Sequence, residues 1–217
     1  MFFAHNLTPH NAYMPQHNSI HIRILHAVPN APAVDVYANG IPLARNLNYR
    51  GFTEYRALKA GTYQFEVFPA GRRDTPLIVT TATLPDLTIY TIAVAGQLPN
   101  ISLLPIAEPK IPIPQGTAML RFSHLAPTTP NVDVILPDGT VLFSDVRFKE
   151  TTHYIIAPSQ TYNIRLRVAG TNDVILEVPN IHILPDRFYT IYAIGLINSQ
   201  PGLQVLIPLD GNTYINP

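Results

Sequence analysis

Ile22-Arg23-Ile24-Leu25-His26-Ala27-Val28-Pro29-Asn30-Ala31-Pro32-Ala33-Val34-Asp35-Val36 returns in the second half of the chain. There it reads Leu120-Arg121-Phe122-Ser123-His124-Leu125-Ala126-Pro127-Thr128-Thr129-Pro130-Asn131-Val132-Asp133-Val134. Without a gap, seven of the fifteen positions match: the Arg, the His, both prolines and the closing Val-Asp-Val. With one inserted residue the register continues. Gly40 falls on Gly139, Tyr55 on Tyr154, Thr62-Tyr63 on Thr161-Tyr162, and Ala70-Gly71 on Ala169-Gly170. Tyr90-Thr91-Ile92 then falls on Tyr189-Thr190-Ile191, and Gly96 on Gly195. A step of about a hundred residues is too long for a solenoid repeat, so each copy is expected to be a whole domain.

Within each copy the hydrophobic period is two. Tyr63, Phe65 and Val67 alternate with Thr62, Gln64 and Glu66, and Tyr162, Ile164, Leu166 and Val168 alternate with Asn163, Arg165 and Arg167. Successive strand side chains point to opposite faces, so this pattern is a half-buried strand with a polar outer face. The segments 77–84, 88–95, 174–178 and 188–194 are rich in β-branched and aromatic residues, as strands are. Asn39-Gly40, Ala60-Gly61, Ala70-Gly71, Pro85-Asp86, Asp138-Gly139, Ala169-Gly170 and Pro185-Asp186 supply turns between them. About seven short strands per hundred residues predict two tandem, immunoglobulin-like antiparallel β-sandwiches. The 22 prolines argue against a helical bundle, since each costs about 3 kcal/mol inside a helix. The expected boundaries are an amino-terminal arm at 1–19, a sandwich at 20–106, a proline-rich linker at 107–117 and a second sandwich at 118–217.

Composition narrows the function classes. Lys+Arg and Asp+Glu are 14 each, which disfavours a nucleic-acid partner that would need basic excess. The absence of cysteine excludes disulfides and thiol chemistry. No apolar run reaches the length of a membrane span. Met1 to Asn6 has neither a basic n-region nor a long apolar stretch, so no signal peptide is read there. The routes left open are assembly onto a surface from inside, as spore coat layers are built, export by another path, or residence in the cytoplasm.

The segment His26 to Gly40 resembles the opening signature of the bacterial family known as domain of unknown function 4397 (DUF4397). Leu58-Lys59-Ala60-Gly61-Thr62-Tyr63 and Tyr90-Thr91-Ile92-Ala93-Val94-Ala95-Gly96 match it further. The resemblance spans nearly all of residues 20–106 and, more loosely, 118–209, as two tandem copies. The second copy departs at Thr128-Thr129 and Ser159-Gln160. The resemblance implies a β-sandwich module of secreted or wall-attached proteins, often in tandem, and brings no catalytic residues with it.

His26 with Asp35, and His124 with Asp133, recur at equal spacing. Such a pair can serve as a general base or a metal ligand, or can pin two strands together by a hydrogen bond. Repetition in both copies favours the structural role. Ser123, His124 and Asp133 do not make a hydrolase triad, because adjacent strand residues face opposite ways and the first copy has Leu25 at the serine position. His5, His10, His17 and His21 are weak metal candidates whose spacing fits no defined element. The expectation is therefore a non-catalytic structural or adhesive surface protein with no cofactor. It would work through protein contacts or self-association, with strand addition by the amino-terminal arm through Phe2-Phe3-Ala4. The competing readings are a small-ligand or carbohydrate-binding module and a metal protein using the amino-terminal histidines.

Overall fold

The computed structural model describes residues 19–86 and 88–215. The first copy folds as β1 (Ser19–His26), β2 (Val34–Ala38), β3 (Ile41–Leu47), β4 (Arg56–Lys59), β5 (Gly61–Pro69), β6 (Ile78–Leu84), β7 (Ile89–Gln97) and β8 (Asn100–Glu108). The second folds as β9 (Thr117–His124), β10 (Val132–Ile135), β11 (Val141–Val146), β12 (Ile155–Pro158), β13 (Gln160–Val168), β14 (Val174–Ile183), β15 (Phe188–Ile194) and β16 (Gln204–Leu206). A single 3-10 turn, Gly211–Thr213, follows. No helix among the described residues is long and apolar enough to cross a membrane.

Each copy is a sandwich of two four-stranded sheets. Their strand orders are β4-β1-β7-β8 with β3-β2-β5-β6, and β12-β9-β15-β16 with β11-β10-β13-β14. The connectivity is thus written twice, as the duplicated sequence predicts. Each sandwich has eight strands rather than about seven, and one pairing in each is parallel: β1 with β7, and β9 with β15. All other ladders are antiparallel.

Burial explains why the parallel strands sit centrally. β7 is buried from Ile89 to Gly96 and β15 along its whole length, so neither shows polar alternation. Both faces are covered, but by different partners. In β1, Ile20, Ile22 and Ile24 enter the core of their own sandwich, while Leu25 faces the other sandwich. In β15, Tyr189, Ile191 and Ala193 pack inward, whereas Tyr192 and Ile194 join Leu25, Ala93, Ala95 and Ile106 in a third apolar cluster. The sheets containing β1 and β9 therefore lie face to face, and the molecule is a stack of four sheets. The central strands of the two inner sheets, β1, β7, β9 and β15, are buried on both sides, the pattern of continuous apolar strands.

The linker is shorter than the sequence suggests. β8 runs two residues beyond the expected domain end, because Tyr90 pairs with Ala107 and Ile89 with Glu108 on the neighbouring β7. Residues 109–116 connect it to β9, and Ile106, expected at the end of the first domain, is core of the third cluster. The arm expected at 1–19 gives up its last residue to β1. His5, His10, His17 and Phe2-Phe3-Ala4 lie outside the described residues.

Candidate functional site

Polar side chains interrupt the apolar strands of the inner sheets at matched positions. β1 contributes Arg23 and β9 Arg121; β7 contributes Thr91 and β15 Thr190. The loops entering β4 and β12 contribute Tyr55 and Tyr154, and the ends of β8 and the chain contribute Glu108 and Asp210. These eight groups meet between the sandwiches. The side chains of Arg23 and Arg121 are 5% and 4% exposed, and those of Glu108 and Asp210 are fully enclosed.

The bonds repeat around an approximate two-fold axis. Arg23 Nε donates to Thr91 Oγ1 (2.7 Å), whose hydroxyl donates to Glu108 Oε1 (2.6 Å). Arg121 Nε donates to Thr190 Oγ1 (2.8 Å), whose hydroxyl donates to Asp210 Oδ2. The Tyr55 hydroxyl lies 2.8 Å from both Glu108 oxygens, and the Tyr154 hydroxyl donates to Asp210 Oδ2 at 2.6 Å. Each guanidinium lies over its own tyrosine ring, at 4.7 Å for Arg23 and 4.4 Å for Arg121.

The crossing contacts are reciprocal. Arg23 Nη1 donates to the Leu209 carbonyl (2.8 Å) of the second sandwich, and Arg121 Nη1 to the Ala107 carbonyl (2.6 Å) of the first. Both carbonyls immediately precede the acid of that sandwich. The backbone N–H of Gly211 donates to Glu108 Oε2 (2.7 Å), and the Asn212 amide donates to the Pro109 carbonyl (3.0 Å). A Cβ at Gly211 would press on Tyr55 and Ile89, so this close approach requires glycine.

The symmetry breaks at one atom on each arginine. Arg23 Nη2 reaches Asp210 Oδ1 at 3.2 Å and Glu108 Oε1 at 3.6 Å. Arg121 Nη2 is 3.8 Å from Asp210 Oδ2 and has no hydrogen-bond partner among the described residues. The Glu108 carboxyl is pushed up from its ordinary pKa, chiefly by burial and then by the neighbouring Asp210, against the pull of Arg23. Burial also pushes the Tyr55 and Tyr154 hydroxyls far up, so both stay protonated and donate. Two arginines and two acids balance formally. Such a buried set returns little net stability over an apolar contact, but a mispaired arrangement strands charges in a dry interface. It fixes how the two sandwiches meet.

The histidines and aspartates singled out in the sequence do not form pairs. His26 Nε2 bonds the Pro32 carbonyl (3.1 Å) and its Nδ1 accepts from Val28 N–H (3.3 Å). His124 repeats this with Pro130 (3.0 Å) and Ala126 (3.3 Å). Both rings are therefore neutral, with the proton on Nε2 and no lone pair left for a metal or a substrate proton. Burial lowers both pKa values, as neutral rings require. Asp35 instead accepts from the N–H groups of Asn46 (2.7 Å) and Gly71 (3.0 Å). Asp133 accepts from Asp145 N–H (2.9 Å) and Arg167 Nε (3.0 Å). Equal spacing reflects two neighbouring loop anchors, not one shared bond. His21 Nδ1 is buried without a partner, and no group of three or more potential ligands gathers among the described residues.

The central polar network was not among the candidates read from sequence. Its signal was present in the matched pairs Arg23/Arg121, Tyr55/Tyr154 and Thr91/Thr190, where polar residues persist in otherwise apolar strands. Glu108 was assigned to the linker, and Asp210 has no counterpart of identical type.

Fold and site together define a two-module β-sandwich protein whose modules are bolted face to face by a buried ionic cluster. The chain belongs to the family described as Domain of unknown function (DUF4397), whose sequence profile matches residues 20–135. No curated protein matches the sequence. Among solved structures it is similar to the family 26 carbohydrate-binding module CBMbc of Eubacterium rectale Amy13K, seen in complex with maltoheptaose. That similarity has 8% identity and a TM-score of 0.28, and covers 89% of this chain and 99% of that one. It is also similar to a streptococcal virulence factor described as binding alpha-glucan, at 13% identity and TM-score 0.25, covering 91% and 99%. A third is the Bacillus anthracis TIE protein, at 11% identity and TM-score 0.24, covering 83% of this chain and 34% of that one.

Proposed function

We propose that this protein is a non-catalytic structural or adhesive module of a bacterial cell or spore surface. Both sandwiches are taken as copies of the family module, working through protein–protein contacts. The observation that carries this reading is the reciprocal cluster of Arg23, Arg121, Glu108 and Asp210, which encloses two arginines and two acids between the sandwiches and joins them into one block. Consistent with it, both ring nitrogens of His26 and His124 are occupied by backbone groups.

What such a block offers a partner is its outer sheets. Among the described residues, β6 and β14 pair on one side only, and they are seven and ten residues long. Long unpaired edges of this kind are templates for an added strand. The segment ahead of Ser19 is the proposed donor, to the β14 edge of a neighbouring copy. Negative-stain imaging and sedimentation of the full chain, beside one lacking residues 1–18, test this. Ordered assemblies lost on truncation support it; monodisperse single particles from both chains refute self-association.

A further inference from the structure

We propose that β6 is a self-pairing edge, along which two copies of this chain join antiparallel in a two-fold dimer. A free strand edge is a row of unpaired backbone groups, and proteins blunt such edges with prolines, charges, bulges or short strands. The other sheet edges of this molecule are blunted in these ways. β4, β12 and β16 are only four, four and three residues long. β3 carries Pro42, Arg45 and a left-handed Asn46 (φ 49°), and β11 a left-handed Asp145 (φ 49°). β8 contains Pro105. β14, the counterpart of β6 in the second copy, carries Glu177, Pro179 and a left-handed Asn180 (φ 58°). Its residues 174–178 suit a short donor strand, not a continuous pairing.

Among the described residues, β6 is the edge with none of these devices. Ile78-Val79-Thr80-Thr81-Ala82-Thr83-Leu84 holds no charge, no proline and no left-handed residue. Its register against β5 runs unbroken from Ile78 to Leu84. The direction of its backbone groups follows from the neighbouring ladders. Asn39 N–H donates to the Gln64 carbonyl (2.9 Å), and Leu77 N–H to the Val67 carbonyl (2.7 Å). Gln64 therefore turns toward β2, while Phe65 and Val67 turn toward their β6 partners Thr80 and Ile78. By alternation, the N–H and C=O groups of Val79, Thr81 and Thr83 face outward, and the same three side chains are exposed.

This outward row is self-complementary. A two-fold axis through Thr81 sets Thr81 against Thr81 and Val79 against Thr83 of the second copy, each pair exchanging both of its backbone bonds. Thr80 then meets Ala82, and Ile78 meets Leu84, so no like charges face each other. The contact goes beyond the assembly proposed above, because the segment ahead of Ser19 takes no part in it.

Sedimentation equilibrium and amide hydrogen exchange of the full chain, from about 1 to 500 μM, test it. One strand pair is a small interface, so a dissociation constant of about 10–100 μM is expected. The amides of Val79, Thr81 and Thr83 should gain protection with concentration, while those of Thr80 and Ala82, turned toward β5, stay protected throughout. Thr81→Pro deletes both bonds of the central pair and spares those to β5, since proline is tolerated at an edge position. It should weaken the dimer about five- to hundredfold, the scale of two backbone hydrogen bonds, with the monomer's melting temperature unchanged. It leaves any contact of the amino-terminal segment with β14 in place, so the two contacts fail separately. Thr81→Lys and Thr81→Glu should each weaken the dimer by setting like charges face to face, and an equimolar mixture should restore it. A damaged fold would not be rescued by mixing. A monomer at every concentration, no concentration-dependent protection at the three amides, a dimer indifferent to Thr81→Pro, or charge variants that fail to complement would each overturn the proposal.

Discussion

Replacing Arg23 by methionine keeps an unbranched chain of similar length and deletes the charge. In the structure this removes the bonds to Thr91, Leu209 and Asp210 and the 3.6 Å contact with Glu108. Among the described residues, the two enclosed carboxylates are then left with Arg121, which is 3.8 Å from Asp210 and makes no ion pair with Glu108. Removing one partner of a buried ion cluster costs about 3–5 kcal/mol, because the surviving charge is stranded. For a chain of this size each kcal/mol lowers Tm by about 2–4 °C, so a fall of roughly 6–20 °C is expected. The pH dependence carries the sharper signature. Glu108 already has a raised pKa, and loss of Arg23 raises it further. A raised folded pKa gives stability that is complete below the unfolded value and is lost as pH rises through the folded one. The Arg23→Met penalty should therefore be largest at and above neutrality and shrink toward pH 4.5. Urea unfolding followed by circular dichroism at pH 5 and pH 7.5 measures both. A loss under about 1 kcal/mol, or a penalty that grows in acid, would refute the reasoning.

Other substitutions probe separate parts of the account. His26→Gln should flatten the stability loss in acid, as read by urea midpoints from pH 7.5 to 5. The folded ring has a lowered pKa, so its contribution is complete above about 6.5 and is lost as pH falls through the folded value. Asp35→Ala leaves the N–H groups of Asn46 and Gly71 without acceptors and should cost about 1–3 kcal/mol, with faster hydrogen exchange at those two amides. Tyr192 is fully buried with no partner for its hydroxyl among the described residues, so Tyr192→Phe should be neutral or stabilising by about 1 kcal/mol in the same denaturation assay. A destabilisation above 1 kcal/mol there would mean that the hydroxyl has a partner such as buried water.

Local alternation made the outer strands legible. Thr62 to Val67 and Thr161 to Val168 write one polar and one apolar face, and the structure places them in β5 and β13 as read. The duplicated register likewise made the repeated topology legible, because matched turns and strands must close the same way. What the sequence concealed was the second burial of the inner sheets. In Ile89-Tyr90-Thr91-Ile92-Ala93-Val94-Ala95, the run of small and apolar residues leaves no polar face, and a strand covered on both sides reads so. Taking that run at face value would have predicted the face-to-face stack. The His/Asp spacing misled for the opposite reason: proximity in sequence across one turn places anchors near each other without bonding them. Arg23 and Asp210 sit at opposite ends of the chain, and only the closed stack brings them together.

Scanning calorimetry of the intact chain bears most directly on the claim that the two sandwiches are one cooperative body. The buried bolt predicts one endotherm, with calorimetric and van 't Hoff enthalpies in a ratio of about 1. Two endotherms, or a ratio near 2, would mean that each sandwich melts on its own and that the cluster of Arg23, Arg121, Glu108 and Asp210 does not couple them.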